Sequence, residues 1–129
     1  KAYPEKAGIG YWERSIKLNR GQDLTITNRY DLADTTAELC LNLLTACSPI
    51  EEDQESIKLQ LVGLPNNRSS GIAKLQYEAE KLIVETEKIR VEDENLRRIW
   101  GDQLTRIILK TKKSSQKGSW RLRITPLTN

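Results

Sequence analysis

The sequence predicts an all-β fold, an antiparallel two-sheet β-sandwich of about eight or nine strands. Three observations support this prediction. Apolar and polar residues alternate with a period of two, which places successive side chains on opposite faces of a strand. Short turn sequences separate the alternating runs, so neighbouring strands must be antiparallel. The core is thin and aliphatic, because the 129 residues are 37% hydrophobic and 30% charged, with no Phe and no Met.

The first part of the chain contains three alternating runs. Residues 20–23 form a turn after the first run, and residues 33–36 connect the second run to the third. The residues expected to face the core are Trp12, Arg14, Ile16 and Leu18 in the first run, Leu24, Ile26, Asn28, Tyr30 and Leu32 in the second, and Ala37, Leu39, Leu41 and Leu43 in the third.

Residues typical of turns and loops divide the middle of the chain into short segments. Ser48-Pro49 is expected to end the third strand, and the polar segment 50–56 to form a connection. A short strand follows at 57–61. The segment 63–71, rich in Gly, Pro and Asn, predicts a loop, after which a strand resumes at 72–78.

The last third is predicted to contain more strands. The Glu and Lys content permits a helix over 76–90, but the β-branched residues of 82–91 favour one bent strand or two short ones. Residues 92–101 are expected to form a loop with a helical turn. Strands at 104–112 and 118–125 are expected to form the last hairpin. Trp120 is in phase with the apolar residues there, so we expect it, like Trp12, to be largely buried.

The absence of histidine from the sequence excludes several kinds of chemistry. Ser-His-Asp and Cys-His catalysis both need an imidazole, and so do the usual zinc ligand sets. On one extended strand, Cys40 and Cys47 would lie roughly 23 Å apart, too far for a disulfide. We therefore expect two separate thiols, with Cys40 half-buried, unless the chain bends sharply near Thr45. Two thiols alone make a poor metal site, so neither a metal nor a cofactor is predicted.

The chain is predicted to be a single β-sandwich domain over residues 1–129. No apolar run approaches the ~20 residues needed to cross a membrane, and no charged n-region leads into an apolar h-region, so no signal peptide is expected in this sequence. Because the sequence opens without an initiator Met, we interpret it as part of a longer protein.

Short patches along most of the chain occur in the order seen in one protein family. They are Ala7-Gly8-Ile9 with Trp12-Glu13-Arg14, Leu24-Thr25-Ile26-Thr27 with Tyr30-Asp31-Leu32, Leu41 to Thr45 with Cys47-Ser48-Pro49, Leu75-Gln76-Tyr77, the acidic turn before Leu96, Trp100-Gly101-Asp102, Leu104 with Arg106-Ile107, and Lys117-Gly118. In this order the chain resembles the C-terminal β-sandwich region of heparinase II/III-like proteins. These are polysaccharide lyases whose other part is an α/α toroid.

The resemblance implies a secreted or periplasmic parent that acts on uronic-acid polysaccharides. It also implies a missing N-terminal α/α domain as the partner of this one. Such lyases use a Tyr and a His as acid and base, and this chain has no His, so no catalytic residue is carried over. Strand-face packing is expected to explain Tyr30 and Tyr77. The chain is therefore expected to be a non-catalytic domain that supports or edges the cleft for an anionic glycan.

A basic segment favours a second interpretation, a stand-alone carbohydrate-binding module. Residues 103–129 contain seven basic residues and no acidic one. If the two strands of this segment pair, their outer face would carry a basic strip that attracts sulfates or uronates. The alternative is a solvated face whose charges protect an edge strand. With no aromatic platform and no recognition helix, nucleic acid is not a predicted partner. The candidate glycan-binding residues are Arg106, Lys110, Lys112, Arg121 and Arg123.

Overall fold

The computed structural model describes residues 8–33, 38–60, 71–112 and 116–127. Within these ranges the chain forms nine strands and one short helix. In chain order they are β1 (Ile9–Asn19), β2 (Asp23–Leu32), β3 (Cys40–Thr45), β4 (Ser48–Glu51), β5 (Ser56–Gln60), β6 (Ile72–Tyr77), β7 (Leu82–Arg90), α1 (Glu94–Trp100), β8 (Gln103–Thr111) and β9 (Lys117–Leu127).

The strands form two antiparallel sheets of unequal size. The larger sheet has six strands in the order β1-β2-β9-β6-β5-β4, and the smaller has three in the order β3-β8-β7. One hydrophobic core contains buried residues from both sheets, so the two inner faces pack on each other. The predicted all-β sandwich is confirmed.

Two ambiguous segments are settled by the structure. The segment 82–91 forms the single strand β7, and the alternative helix is not found there. Between β7 and β8, the predicted helical turn is α1. Its N-cap is Asp93, whose carboxylate accepts a hydrogen bond from the backbone N–H of Leu96 at 3.0 Å. None of the described helices is long and apolar enough to span a membrane.

The predicted end of the third strand at Ser48-Pro49 is wrong. These residues begin β4, a four-residue strand that pairs with β5. Because β4 lies at the edge of its sheet, a proline there does not interrupt a ladder on both sides. Most of the predicted loop at 63–71 lies outside the described residues.

Three aromatic rings pack together in or against the aliphatic core. Trp120 is only 2% exposed, as predicted, and Tyr30 is also buried. Trp12 stacks on Tyr30 with ring centroids 5.9 Å apart, and meets Trp120 edge-on at 6.5 Å. The Tyr30 ring lies directly over the backbone of Gly118, its cross-strand neighbour, where a Cβ atom would collide with it. Packing on strand faces therefore accounts for Tyr30, as predicted, and for Tyr77, which packs against the same core.

The burial predicted for the first strand is only partly correct. Trp12 is half-buried rather than largely buried, because it packs at the margin of the core. Further along the same face of β1, Ile16 is 63% and Leu18 is 67% exposed. The smaller sheet does not cover this end of the larger one, so the alternation places these side chains on the inner face without burying them.

The two cysteines are free thiols, as predicted. Cys40 was expected to be half-buried, but it is exposed on β3, opposite Lys110 of β8. Its neighbours Leu39 and Leu41 point the other way, toward the core. The two faces of this strand are therefore assigned correctly, but the predicted partial burial of Cys40 is wrong.

Candidate functional site

The predicted basic hairpin is not formed. β8 pairs with β3 and β7, whereas β9 pairs with β2 and β6 in the other sheet. Each strand has its own apolar row, and the two rows face each other across the core instead of lying side by side. The chain therefore crosses from one sheet to the other between β8 and β9. The five candidate residues consequently do not form one strip.

On the smaller sheet, the candidate residues Arg106 and Lys110 are paired with acids. Lys110 lies 3.0 Å from the carboxylate of Glu85, and Arg106 lies 3.1 Å from that of Glu87. The hydrogen bond with Glu85 raises the pKa of Lys110. The outer face of β7 and β8 therefore carries two ion pairs, in which both candidate bases are compensated.

The candidate residue Lys112 lies apart from the other four candidates. It follows the end of β8 and lines an open depression of about 660 Å³ whose other walls include Glu51, Glu52 and Asp53. Its surroundings are thus acidic, which does not favour an anionic ligand. Among the described residues, no group of His, Cys, Asp or Glu is arranged to hold a metal ion.

Arg121 and Arg123 occupy a different setting, on the outer face of β9 in the middle of the larger sheet. Their cross-strand neighbours on β2 are Thr27 and Thr25. On the other side of Thr25, β1 contributes Lys17 to the same row. Arg123 lies 3.6 Å from a carboxylate oxygen of Asp23. Within the described part of the chain, Arg121 and Lys17 have no carboxylate at ion-pair distance.

Other basic residues share this outer face. The register places Arg29 beside Ser119, and Lys58 beside Lys74. We call this surface the basic face, defined by Lys17, Arg29, Lys58, Lys74, Arg121 and Arg123. Three acidic residues occupy the same strand faces: Glu13 lies opposite Arg29, Asp23 pairs with Arg123, and Asp31 pairs with Lys117 of β9 at 3.7 Å. Lys74 pairs with Glu52 at 3.7 Å. The face therefore carries more basic than acidic residues, although several of its bases are compensated.

A shallow depression of about 230 Å³ adjoins the two arginines. It is lined by Gln76, Tyr77, Glu78, Arg121 and Arg123. The Glu78 carboxylate is already engaged, because it accepts hydrogen bonds from the backbone N–H of Arg121 at 2.8 Å and from Lys81 Nζ at 3.3 Å. Both guanidinium groups therefore border a concave surface whose single acid is held by other donors.

One exposed aromatic residue lies at the margin of the basic face. Tyr11 is 49% exposed and its hydroxyl donates a hydrogen bond to Glu13 at 2.6 Å. This hydrogen bond raises the pKa of Tyr11. Burial raises the pKa of Tyr77. Both phenols are therefore less ready to lose a proton than a free tyrosine.

Sequence reasoning missed the contribution of β1 and β2 to this surface. Lys17 and Arg29 are visible in the polar phase of their strands, but their proximity to Arg121 depends on β9 pairing with β2. That pairing joins residues 86 to 100 positions apart in the chain, as the pairs Asp31–Lys117 and Leu24–Ile124 show. No local pattern indicates it.

Comparison with known proteins gives no identification: no family model matches the chain, and no curated protein matches it. The fold and the surface charge therefore carry the functional argument.

Proposed function

We propose that the chain is a non-catalytic β-sandwich domain of a heparinase II/III-like polysaccharide lyase, which supports or edges the cleft for an anionic uronic-acid glycan. The observation that carries this proposal is the basic face of the six-stranded sheet. It supplements the resemblance, which suggested the family from the order of short patches.

The geometry of the basic face suits an extended anionic polymer. Residues two apart on one strand lie about 6.6 Å apart on the same face, and neighbouring strands are about 4.8 Å apart. Arg121 and Arg123 thus offer two guanidinium groups along β9, and Lys17 adds an amine two strands away. Guanidinium forks match the oxygens of carboxylates and sulfates. The threonines between them offer neutral hydroxyls to sugar hydroxyls.

Such contacts are expected to be weak. The two arginine side chains are exposed, and exposed charges are screened over about 8 Å at physiological salt. Attraction of this kind brings a polymer to a surface without selecting one repeat unit. It agrees with a domain that borders a cleft formed mainly by another part of the protein.

We propose no bond-breaking role for this domain. The lyase reaction requires an acid and a base, and the raised pKa values of Tyr11 and Tyr77 oppose a phenolate role. We propose that the catalytic groups belong to an N-terminal α/α domain, and that the parent protein is secreted or periplasmic.

A pair of double variants tests the basic face. We expect the purified chain to bind a heparin column weakly and elute at modest salt. Arg121→Gln/Arg123→Gln should elute at clearly lower salt. Arg106→Gln/Lys110→Gln removes the same formal charge from the smaller sheet, where each base is compensated by a glutamate, and should elute nearly as the parent chain does. Equal losses in both variants would mean that net charge alone acts, and would contradict a localised face.

The stand-alone carbohydrate-binding module is the second candidate function. The exposed ring of Tyr11 beside the basic face favours it, because sugar-binding modules stack exposed aromatics on sugar rings. In the column experiment, retention that persists in high salt, selects one glycan and is abolished by Tyr11→Ala would support this candidate over the supporting domain. Release of an unsaturated uronate by the purified chain would contradict both.

A further inference from the structure

The edge strand β1 has a free side. It pairs with β2 along its length, and none of the described strands lies along its other side. It is also long, with eleven residues. Long, exposed edges offer unpaired backbone groups to another strand, and proteins usually block them with short strands, proline or charge. At the opposite edge of the same sheet, β4 has only four residues and contains Pro49.

The side chains of β1 are complementary to themselves when the strand meets a second copy in antiparallel register. A two-fold axis normal to the sheet keeps each outer residue on the outer face. If that axis passes through Ser15, Glu13 of each copy lies opposite Lys17 of the other. Two pairs of opposite charge then form at once, and such cross-strand pairs stabilise antiparallel strands.

The inner face of β1 supports the same register. There Trp12 lies opposite Leu18 of the second copy, so that Leu18, which is 67% exposed, gains an apolar neighbour. Arg14 is placed opposite Ile16. The Arg14 Nε donates a hydrogen bond to Asn28 Oδ1 at 2.9 Å, across the β1–β2 pair, so its head group is held away from the free side.

The edge strand β7 of the smaller sheet is a contrasting case. It is nearly as long, with nine residues, and its outer face includes Glu85 and Glu87. Centred on Thr86, self-pairing would place Glu85 opposite Glu87 of the second copy, and centred on either glutamate it would oppose two like charges. Like charges directly opposite each other are destabilising. These three registers are therefore disfavoured at β7, whereas the register centred on Ser15 is favoured at β1.

We propose that β1 forms the interface of a symmetric homodimer, in which the six-stranded sheets of two copies join edge to edge in the register centred on Ser15. The occupant of the free side is a second copy of this chain. The free edge, the exposed apolar residues and the charge complementarity of β1 support this dimer, which shares only Lys17 with the glycan proposal.

A cysteine at the two-fold axis tests the register directly. In a Cys40→Ser/Cys47→Ser background, Ser15→Cys places two thiols opposite each other. Paired residues of antiparallel strands have Cα atoms about 4.5–5.5 Å apart, within the reach of a disulfide. We expect mild oxidation to yield a covalent dimer. The matched control is Ser119→Cys, an exposed serine on the central strand β9. If both variants cross-link equally, or neither does, the proposal is wrong.

Reversing the charges of Glu13 and Lys17 tests the dimer without introducing a disulfide. Sedimentation velocity over a concentration series should show a monomer–dimer equilibrium. Lys17→Glu turns two attractive pairs into repulsive ones and should raise the dissociation constant about tenfold or more. Glu13→Lys/Lys17→Glu restores opposite charges and should recover dimerisation. Thermal melting confirms that each variant is folded. A chain that stays monomeric at all concentrations, or a double variant that fails to recover, overturns the proposal.

Discussion

The inner face of the six-stranded sheet has a covered side and an uncovered side, and one row of residues crosses both. From β1 inward the row consists of Ile16, Ile26 and Leu122. Ile16 is 63% exposed, Ile26 is half-buried, and Leu122 is fully buried. All three have the same alternation phase and similar hydrophobicity. What separates them is the position of the smaller sheet, whose three strands cannot cover six.

This gradient shows that strand alternation and burial are distinct properties. Alternation assigns a face, whereas burial needs a second layer over that face. The free energy gained by an apolar side chain scales with the area removed from water. Substitutions of comparable chemistry should therefore have very different effects at the two sides.

The largest effect is expected in the covered region. Trp120→Ala should lower the free energy of unfolding by ~3–5 kcal/mol, because the ring is buried against Trp12 and the smaller sheet. Urea denaturation followed by circular dichroism measures the change. The matched control is Trp100→Ala on α1, an exposed ring whose loss should cost less than about 0.5 kcal/mol. A Trp120→Ala loss as small as the control would refute burial.

A smaller effect is expected where Tyr30 covers Gly118. Gly118→Ala inserts a methyl group into the space of the tyrosine ring, and overpacking of this kind costs about 1–3 kcal/mol. The loss should shrink in a Tyr30→Leu background, since the collision is with the ring. Gly71→Ala is the control, because a Cβ atom there meets none of the described residues within 4 Å. An equal cost at both glycines in urea denaturation would contradict the close approach.

The smallest effect is expected on the uncovered side. Leu18→Ala should change the free energy of unfolding by less than about 0.5 kcal/mol at protein concentrations where the chain is monomeric, because the side chain is 67% exposed. Chemical denaturation at low concentration measures it. A loss above about 2 kcal/mol would mean that another layer covers β1, which would erase the contrast between the two sides.

The features predicted correctly from the sequence are those set by neighbours in the chain. The alternation of Trp120, Leu122 and Ile124 identified the inner face of β9, and the β-branched residues of 82–91 identified β7 as a strand. The features predicted wrongly depend on partners far along the chain. The hairpin expected of β8 and β9 failed because their apolar rows belong to opposite sheets.

The candidate site was predicted as one surface for the same reason, but its residues lie on two different sheets. Arg106 and Lys110 were grouped with Arg121 and Arg123 because they are close in sequence and share a charge. Their acidic partners Glu85 and Glu87 belong to β7, and could be assigned only once the β7–β8 register was known. Electrostatic neighbourhoods on a sheet are set across strands, where sequence spacing carries no information.

The central position of β9 has a consequence for biosynthesis. β9 is the last of the described strands to leave the ribosome, yet it lies between β2 and β6 and holds the two halves of the larger sheet together. Protein synthesis adds about 5–20 residues per second, so β9 is synthesised on the order of ten seconds after β2, with which it pairs. During that interval the apolar inner faces of β2 and β6 lack their central neighbour. A nascent chain with two open strand edges is a substrate for chaperones, and ribosome stalling before β9 should expose the chain to aggregation far more than stalling after it.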